Sequence, residues 1–215
     1  MPRGVDHPPV VLIHGLWLSG WAMALVARRL RRCGFRPYLF SYPSMRRTLR
    51  EAAAALRAFG DAIEGEMLHF VGHSLGGVVI QAMLAYCPPP RRGRVVTLSS
   101  PHLGSYAAKT LAGRFWGPPI LGMGIADLLR GELPPCDLSR HEVGVIKGDR
   151  PIGLGRLFVR FEGPNDGVVA LDEMRLLGAA DEITLNVSHT GMLLSRDVAA
   201  SVCRFLRFGR FAQSG

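Results

Sequence analysis

With 215 residues, 48% of them hydrophobic and 20% charged, the chain suits one domain with one core, and its composition excludes disorder and collagen-like repetition. Its formal charge of +9 is carried almost wholly by arginine, since only Lys109 and Lys147 are lysines. Doublets such as Arg28-Arg29, Arg31-Arg32, Arg46-Arg47 and Arg91-Arg92 are spread along the chain as solvated faces and loops, which argues against a nucleic-acid partner and leaves room for loose peripheral contact with anionic membranes.

The apolar run 10–13 predicts a strand ending in His14-Gly15, and 21–33 has helical spacing with arginine on its outer face. Residues 36–40 read as a second strand stopped by Tyr42-Pro43, and the alanine-rich stretch 46–63 is helical by propensity. Strand 68–71 leads through Gly72-His73-Ser74-Leu75-Gly76-Gly77 into a helix over 75–86, which Pro88-Pro89-Pro90 terminates. Strands follow at 94–98, at 143–146 and at 183–187, where Asp181 and Glu182 read as the beginning of the last one, and a helix at 196–208 closes the chain. This alternation predicts an α/β fold: a mostly parallel sheet of about six strands flanked by helices on both faces.

One stretch breaks the rhythm. Residues 103–140 mix apolar side chains with Gly and Pro and read as one or two short helices inserted after a strand, a lid-like insertion within one domain spanning 1–215. The four cysteines, Cys33, Cys87, Cys136 and Cys203, form no C-x-x-C pair, so buried or free thiols in a reducing compartment are expected. No signal peptide precedes the first strand, and its run of four apolar residues is too short to span a membrane, so a cytoplasmic location is expected.

The stretch Gly72–Gly77 is a G-x-S-x-G pattern between a predicted strand and a predicted helix, the setting a nucleophile elbow requires. Strand and helix pass so closely there that a Cβ two residues before or after the serine would clash. A serine is a poor nucleophile at neutral pH and needs a general base, normally a histidine whose tautomer a carboxylate fixes. In the chain order nucleophile, acid, histidine, only His189 leaves room for a preceding acid in a suitable turn. Asp166, in Pro164-Asn165-Asp166-Gly167, is the best acid, although that tetrapeptide is also an ordinary turn signal and Asp172 and Glu173 lie close behind. The backbone N–H groups of Leu75, at the positive end of its helix, and of Leu16, in the His14-Gly15-Leu16-Trp17 loop, are the expected oxyanion donors. His73 reads as structural, and His102 either lines the pocket or is structural. No metal or cofactor motif is present, and this chemistry needs neither.

Taken in order, His14-Gly15, Gly72–Gly77, Ser99–Ser105, Asn165–Val169 and Ser188–Gly191 resemble a small bacterial alpha/beta-hydrolase of the lipase and esterase type. The resemblance spans nearly the whole chain and implies a carboxylic ester hydrolase. Its implied triad is Ser74, Asp166 and His189, with Leu16 and Leu75 at the oxyanion hole and no cofactor. It also implies that the first two strands of the eight-stranded form are absent, as in minimal lipases. The expected substrate is a small-molecule ester or lipid with an apolar group, bound by Trp17, Phe115 and Trp116. In the insertion, Leu121, Met123 and Ile125 either face the pocket as well or complete the core. Alternatives on the same fold are a thioesterase, an acyltransferase, or a catalytically silent lipid-binding protein.

Overall fold

The computed structural model describes residues 7–115, 117–131, 136, 138, 141–153 and 159–211. Six strands, β1 Pro9–Ile13, β2 Arg36–Phe40, β3 His69–His73, β4 Val95–Leu98, β5 Val143–Gly148 and β6 Asp181–Leu185, form one fully parallel sheet in the order β2-β1-β3-β4-β5-β6. The helices among the described residues are α1 Ala24–Arg32, α2 Leu49–Asp61, α3 Leu75–Tyr86, α4 Tyr106–Ala112, α5 Gly117–Arg130, α6 Gly191–Leu194 and α7 Arg196–Phe208.

Every residue of β1 is buried, because alternate side chains feed two separate cores. Val11 and Ile13 pack with α2 and α3 residues such as Leu56, Val79 and Met83, and Val10 and Leu12 pack with α1 and α7 residues such as Leu30, Val202 and Phe205. The chain therefore lays α1 and α7 on one face of the sheet and α2 and α3 on the other. β2 and β3 flank β1 on opposite sides, so the winding reverses there and opens a crevice at the carboxyl ends of the strands.

Element boundaries follow local chemistry. The helix expected over 46–63 starts at Leu49 because Thr48 caps it: its hydroxyl accepts from Glu51 N–H while the Glu51 carboxylate accepts from Thr48 N–H. The segment expected as one helix over 21–33 enters through a 3-10 turn, Gly20–Met23, before α1. The last strand does begin at Asp181, but it ends at Leu185 and not at Val187. The insertion holds two helices, α4 and α5, and α5 is interrupted at Gly122, where φ is 73°.

The expectation of unpaired thiols is corrected for Cys33 and Cys203. These residues are 170 positions apart, but α1 and α7 lie side by side and join them in a disulfide. Such a cross-link restricts the unfolded chain and typically contributes about 2–4 kcal/mol. Cys87 keeps its thiol, whose pKa burial raises. No described helix is long and apolar enough to cross a membrane.

Candidate active site

Ser74 leaves β3 and opens α3 with φ 54° and ψ −125°, a conformation rarely adopted by a residue with a side chain. Backbone bonds on both sides hold it there: Ser74 N–H donates to Leu98 O at 2.9 Å, and Gly77 N–H donates to Ser74 O at 3.0 Å. The expected crowding is real. A Cβ on Gly72 would lie 2.5 Å from Gly77 N, and one on Gly76 would lie 2.5 Å from Ile13 O. Ser74 occupies the N-cap of α3, yet its side chain makes no cap bond, so its hydroxyl is not used to terminate the helix. Leu75 N–H is among the first-turn donors that lack a partner within the helix.

Asp166 is fully buried in the loop after β5. Its Oδ1 accepts from Val168 N–H at 2.9 Å and Val169 N–H at 2.8 Å, which turns Oδ2 to His189 Nδ1 at 2.7 Å. His189 N–H also donates to Asp166 O at 2.9 Å, so ring and backbone are tied to the same residue. A carboxylate only accepts, so the proton sits on Nδ1 and leaves Nε2 as the basic nitrogen. Burial alone would raise the Asp166 pKa. The His189 ring, the Val169 N–H and the nearby Ser99 hydroxyl outweigh it and hold the carboxyl below its ordinary value, although Ser99 Oγ makes no hydrogen bond of full geometry.

His73 connects this pair to Ser74. Its ring lies 4.8 Å from the His189 ring, and its Nε2–H donates to His189 O at 3.0 Å. Burial, assisted by the neighbouring His189, pushes its pKa down to about 3, so it stays neutral and supports the loop without titrating near neutrality.

The loop after β1 completes the setting. A Cβ on Gly15 would stand 2.9 Å from Ser74 Cβ, so this backbone lies directly against the serine. His14 is fully buried, stacks on Tyr42 with ring centroids 4.7 Å apart, and accepts Tyr42 N–H at Nε2. Its Nδ1–H therefore donates to Gly15 O, at 2.8 Å. In a planar trans peptide, fixing the Gly15 carbonyl turns Leu16 N–H to the opposite side. Trp17, at φ 60°, donates its N–H to Ser44 Oγ at 3.2 Å, so this N–H is engaged away from the serine. Burial lowers the His14 pKa against its bonds to Gly15 and Tyr42, which favours the neutral tautomer this arrangement needs.

The structure thus brings Ser74, Leu75, His189, Asp166 and Leu16 to one edge of the sheet. The residues expected to bind substrate are less concentrated. Trp17 is 59% exposed and its indole N–H donates to Ile120 O at 2.8 Å, tying this loop to α5. Phe115 is 96% exposed between α4 and α5, and Trp116 lies outside the described residues. Leu121 and Ile125 belong to the core, whereas Met123 is exposed. His102 is structural: it is buried, donates from Nδ1 to Gln81 Oε1 at 2.7 Å and accepts from Thr97 Oγ1 at 3.1 Å, with burial lowering its pKa to about 4.

Tyr42, Ser44 and Ser99 were not singled out from the sequence as site residues. Only Ser99 carried a signal, lying in the Ser99–Ser105 stretch; it has a left-handed φ of 48° beside the acid. A cavity of about 390 Å³ lined by Thr48, Leu49, Arg50, Tyr86, Asp127 and Arg130 shares no residue with this site. Among the described residues, no cluster of three or more His, Cys, Asp or Glu side chains stands ready to hold a metal ion.

The profile of the alpha/beta hydrolase family matches residues 10–202. No curated protein sequence gives a significant match. Among solved structures, the mature form of the Bacillus licheniformis lipase BlEst2 is similar over 97% of this chain and 94% of that one, with a TM-score of 0.77 and 21% identity. The metagenomic carboxyl esterase MGS0156 is similar over 88% of this chain and 67% of that one, with a TM-score of 0.69 and 18% identity. Polyneuridine aldehyde esterase is similar over 94% and 98%, with a TM-score of 0.61 and 16% identity. At these identities the likeness concerns the fold.

Proposed function

The chain belongs to the alpha/beta hydrolase family, and from that premise we propose that it is a serine hydrolase cleaving carboxylic esters with an apolar acyl or alcohol group. The observation that carries this reading is the buried Asp166–His189 pair, 2.7 Å apart and packed through His73 against a serine held in a strained turn. Ser74 Oγ attacks the ester carbonyl as His189 Nε2 takes its proton, and Asp166 orients the ring and stabilises the imidazolium. The carbonyl oxygen becomes negative as the tetrahedral intermediate forms and accepts from Leu16 and Leu75 N–H groups. His189 then gives its proton to the leaving alcohol, and the acyl group remains on Ser74. Water, deprotonated by the same nitrogen, attacks the acyl-enzyme and releases the acid.

The lipase and esterase neighbours support an ester in place of another acyl derivative, and the exposed Trp17, in the loop packed against Ser74, supplies apolar surface beside the site. The Cys33–Cys203 disulfide favours an oxidising compartment over the cytoplasm expected from cysteine spacing.

A fluorophosphonate probe should label the protein once, with the adduct located on Ser74 by mass spectrometry. Ser74→Ala should abolish labelling and reduce ester turnover by several orders of magnitude. An adduct on Ser99, Ser100 or Ser105 would refute the assignment of the nucleophile.

A further inference from the structure

Trp17 holds a conformation that its residue type disfavours. Its φ is 60°, and a bulky side chain keeps a left-handed backbone only where its surroundings impose it. Burial does not impose it, since the residue is 59% exposed. Two hydrogen bonds do. The backbone N–H donates to Oγ of the buried Ser44 at 3.2 Å, and the indole N–H donates to Ile120 O at 2.8 Å.

These two acceptors belong to one unit. Met45, next to Ser44 in the chain, accepts Met123 N–H at its carbonyl, at 3.2 Å. Between Ile120 and Met123, α5 is interrupted at Gly122, where φ is 73° and a Cβ would stand 2.7 Å from Met45 Cα. A helix cannot carry its i to i−4 ladder across such a residue, so Ile120 O and Met123 N–H, which would have served that ladder, bond outward instead. Three hydrogen bonds thus close a circuit through the loop after β1, the turn after β2 and the middle of α5.

The circuit ends one residue from the site. Leu16 lies between two peptide planes, and both are held: His14 Nδ1–H donates to the Gly15 carbonyl at 2.8 Å, and Ser44 accepts Trp17 N–H. Because the peptides are planar and trans, these bonds set the rotation of both units that meet at Leu16 Cα, and with it the direction of Leu16 N–H. The same loop runs against the serine, since a Cβ on Gly15 would meet Ser74 Cβ at 2.9 Å.

We infer that Trp17 is a positioning residue for the oxyanion hole, held in place by α5, which docks through Ile120 and Met123. This rests on the serine-hydrolase reading, in which Leu16 N–H is one of the two oxyanion donors. Such donors work because they are aimed in advance at the place where charge develops. Loosening the loop should therefore weaken the transition state and leave substrate binding nearly intact. The insertion then serves the chemistry itself, through one indole N–H.

Trp17→Phe tests this, because it keeps an aromatic ring and removes the donor. On a small water-soluble nitrophenyl ester, kcat should fall about 10- to 100-fold with KM within about twofold, since a misplacement of about 1 Å can cost 10²-fold. An alkylboronic acid, whose adduct with Ser74 puts an oxygen in the same hole, should bind more weakly by the same factor. The pH midpoint of kcat should not move, because Asp166 and His189 are untouched. Ser44→Ala and Gly122→Ala attack the circuit elsewhere and should reproduce this pattern. Trp17→Phe combined with Gly122→Ala should lose little more than the worse single variant, as groups acting through one unit do. Unchanged kcat with a raised KM in Trp17→Phe overturns the inference, because Trp17 would then only touch substrate; so do losses that multiply in the double variant. Either result leaves wild-type turnover and labelling at Ser74 intact, and the hydrolase reading with them. A wild-type protein that neither reacts with a fluorophosphonate at Ser74 nor hydrolyses an ester overturns that reading and this inference together.

Discussion

Two segments border Ser74, and they are held by different forces. The Asp166 and His189 loops are fixed by directed hydrogen bonds: both Asp166 oxygens are engaged, His189 is tied by ring and backbone, and both residues are under 10% exposed. Glu173 fastens this loop to the insertion, its carboxylate accepting from Ala170 N–H at 2.9 Å and from Tyr106 N–H. The α4–α5 insertion adds packing on one side to a few bonds, such as Met123 N–H to Met45 O at 3.2 Å and Leu49 N–H to Asp127 Oδ2 at 2.7 Å. Leu121, Ile125 and Leu128 are buried, while Phe115, Ile120 and Met123 are exposed and α5 breaks at Gly122. Hydrogen bonds fix angles, as proton transfer needs; half-buried apolar helices fix only a surface, which is enough to select an acyl group.

That contrast is open to direct tests. The largest effect belongs to the hydrogen-bonded loop. Asp166→Asn should preserve the circular dichroism spectrum yet lower kcat about 10⁴-fold, because an amide can hold the wrong His189 tautomer. Asp172→Asn should leave kcat nearly unchanged, and the reverse outcome would move the acid.

A second effect concerns acid. His69, His73 and His102 are buried with pKa values lowered to about 4, 3 and 4, against about 6.5 when unfolded, chiefly by desolvation. Each binds its proton in the unfolded chain first, so its stabilising contribution is complete above pH 6.5 and falls as pH drops toward the folded value. Asp166, also lowered, adds a loss in the same direction at lower pH. Between pH 6 and 4.5, urea unfolding should lose roughly 4 kcal/mol per pH unit if all three histidines act fully. His102→Gln should flatten that slope by about a third, and an unchanged slope would deny these buried rings a role in acid sensitivity.

The insertion should split along its own axis. Ile125→Ala should cost about 2–5 kcal/mol in denaturant unfolding, as core truncations do. Phe115→Ala should cost under about 0.5 kcal/mol yet shift chain-length preference across a series of nitrophenyl esters. Stability loss from Phe115→Ala with an unchanged substrate profile would make its side chain structural.

Much of this was legible because it is local. The apolar runs, the alanine-rich stretch and the glycines around Ser74 act within a few residues, so pattern alone marks the strands, the existence of α2 and the elbow, while the capping pair Thr48 and Glu51 that sets where α2 starts went unread. The pairing of His189 with Asp166 is longer in range, but a chemical requirement and a chain order narrowed the choice to one histidine and a short acidic stretch. Other features needed the folded sheet. Cys33 and Cys203 meet only because α1 and α7 share a face, and cysteine spacing is blind to that. Tyr42 on His14 and Ser44 on Trp17 join loops from adjacent parallel strands, whose order no hydrophobic period encodes. The insertion read equally well as lid or core, since apolar composition fixes how much surface must be buried but not which side chains bury it. Packing against α2 and α3 decided that Leu121 and Ile125 go inside while Phe115 and Met123 stay out.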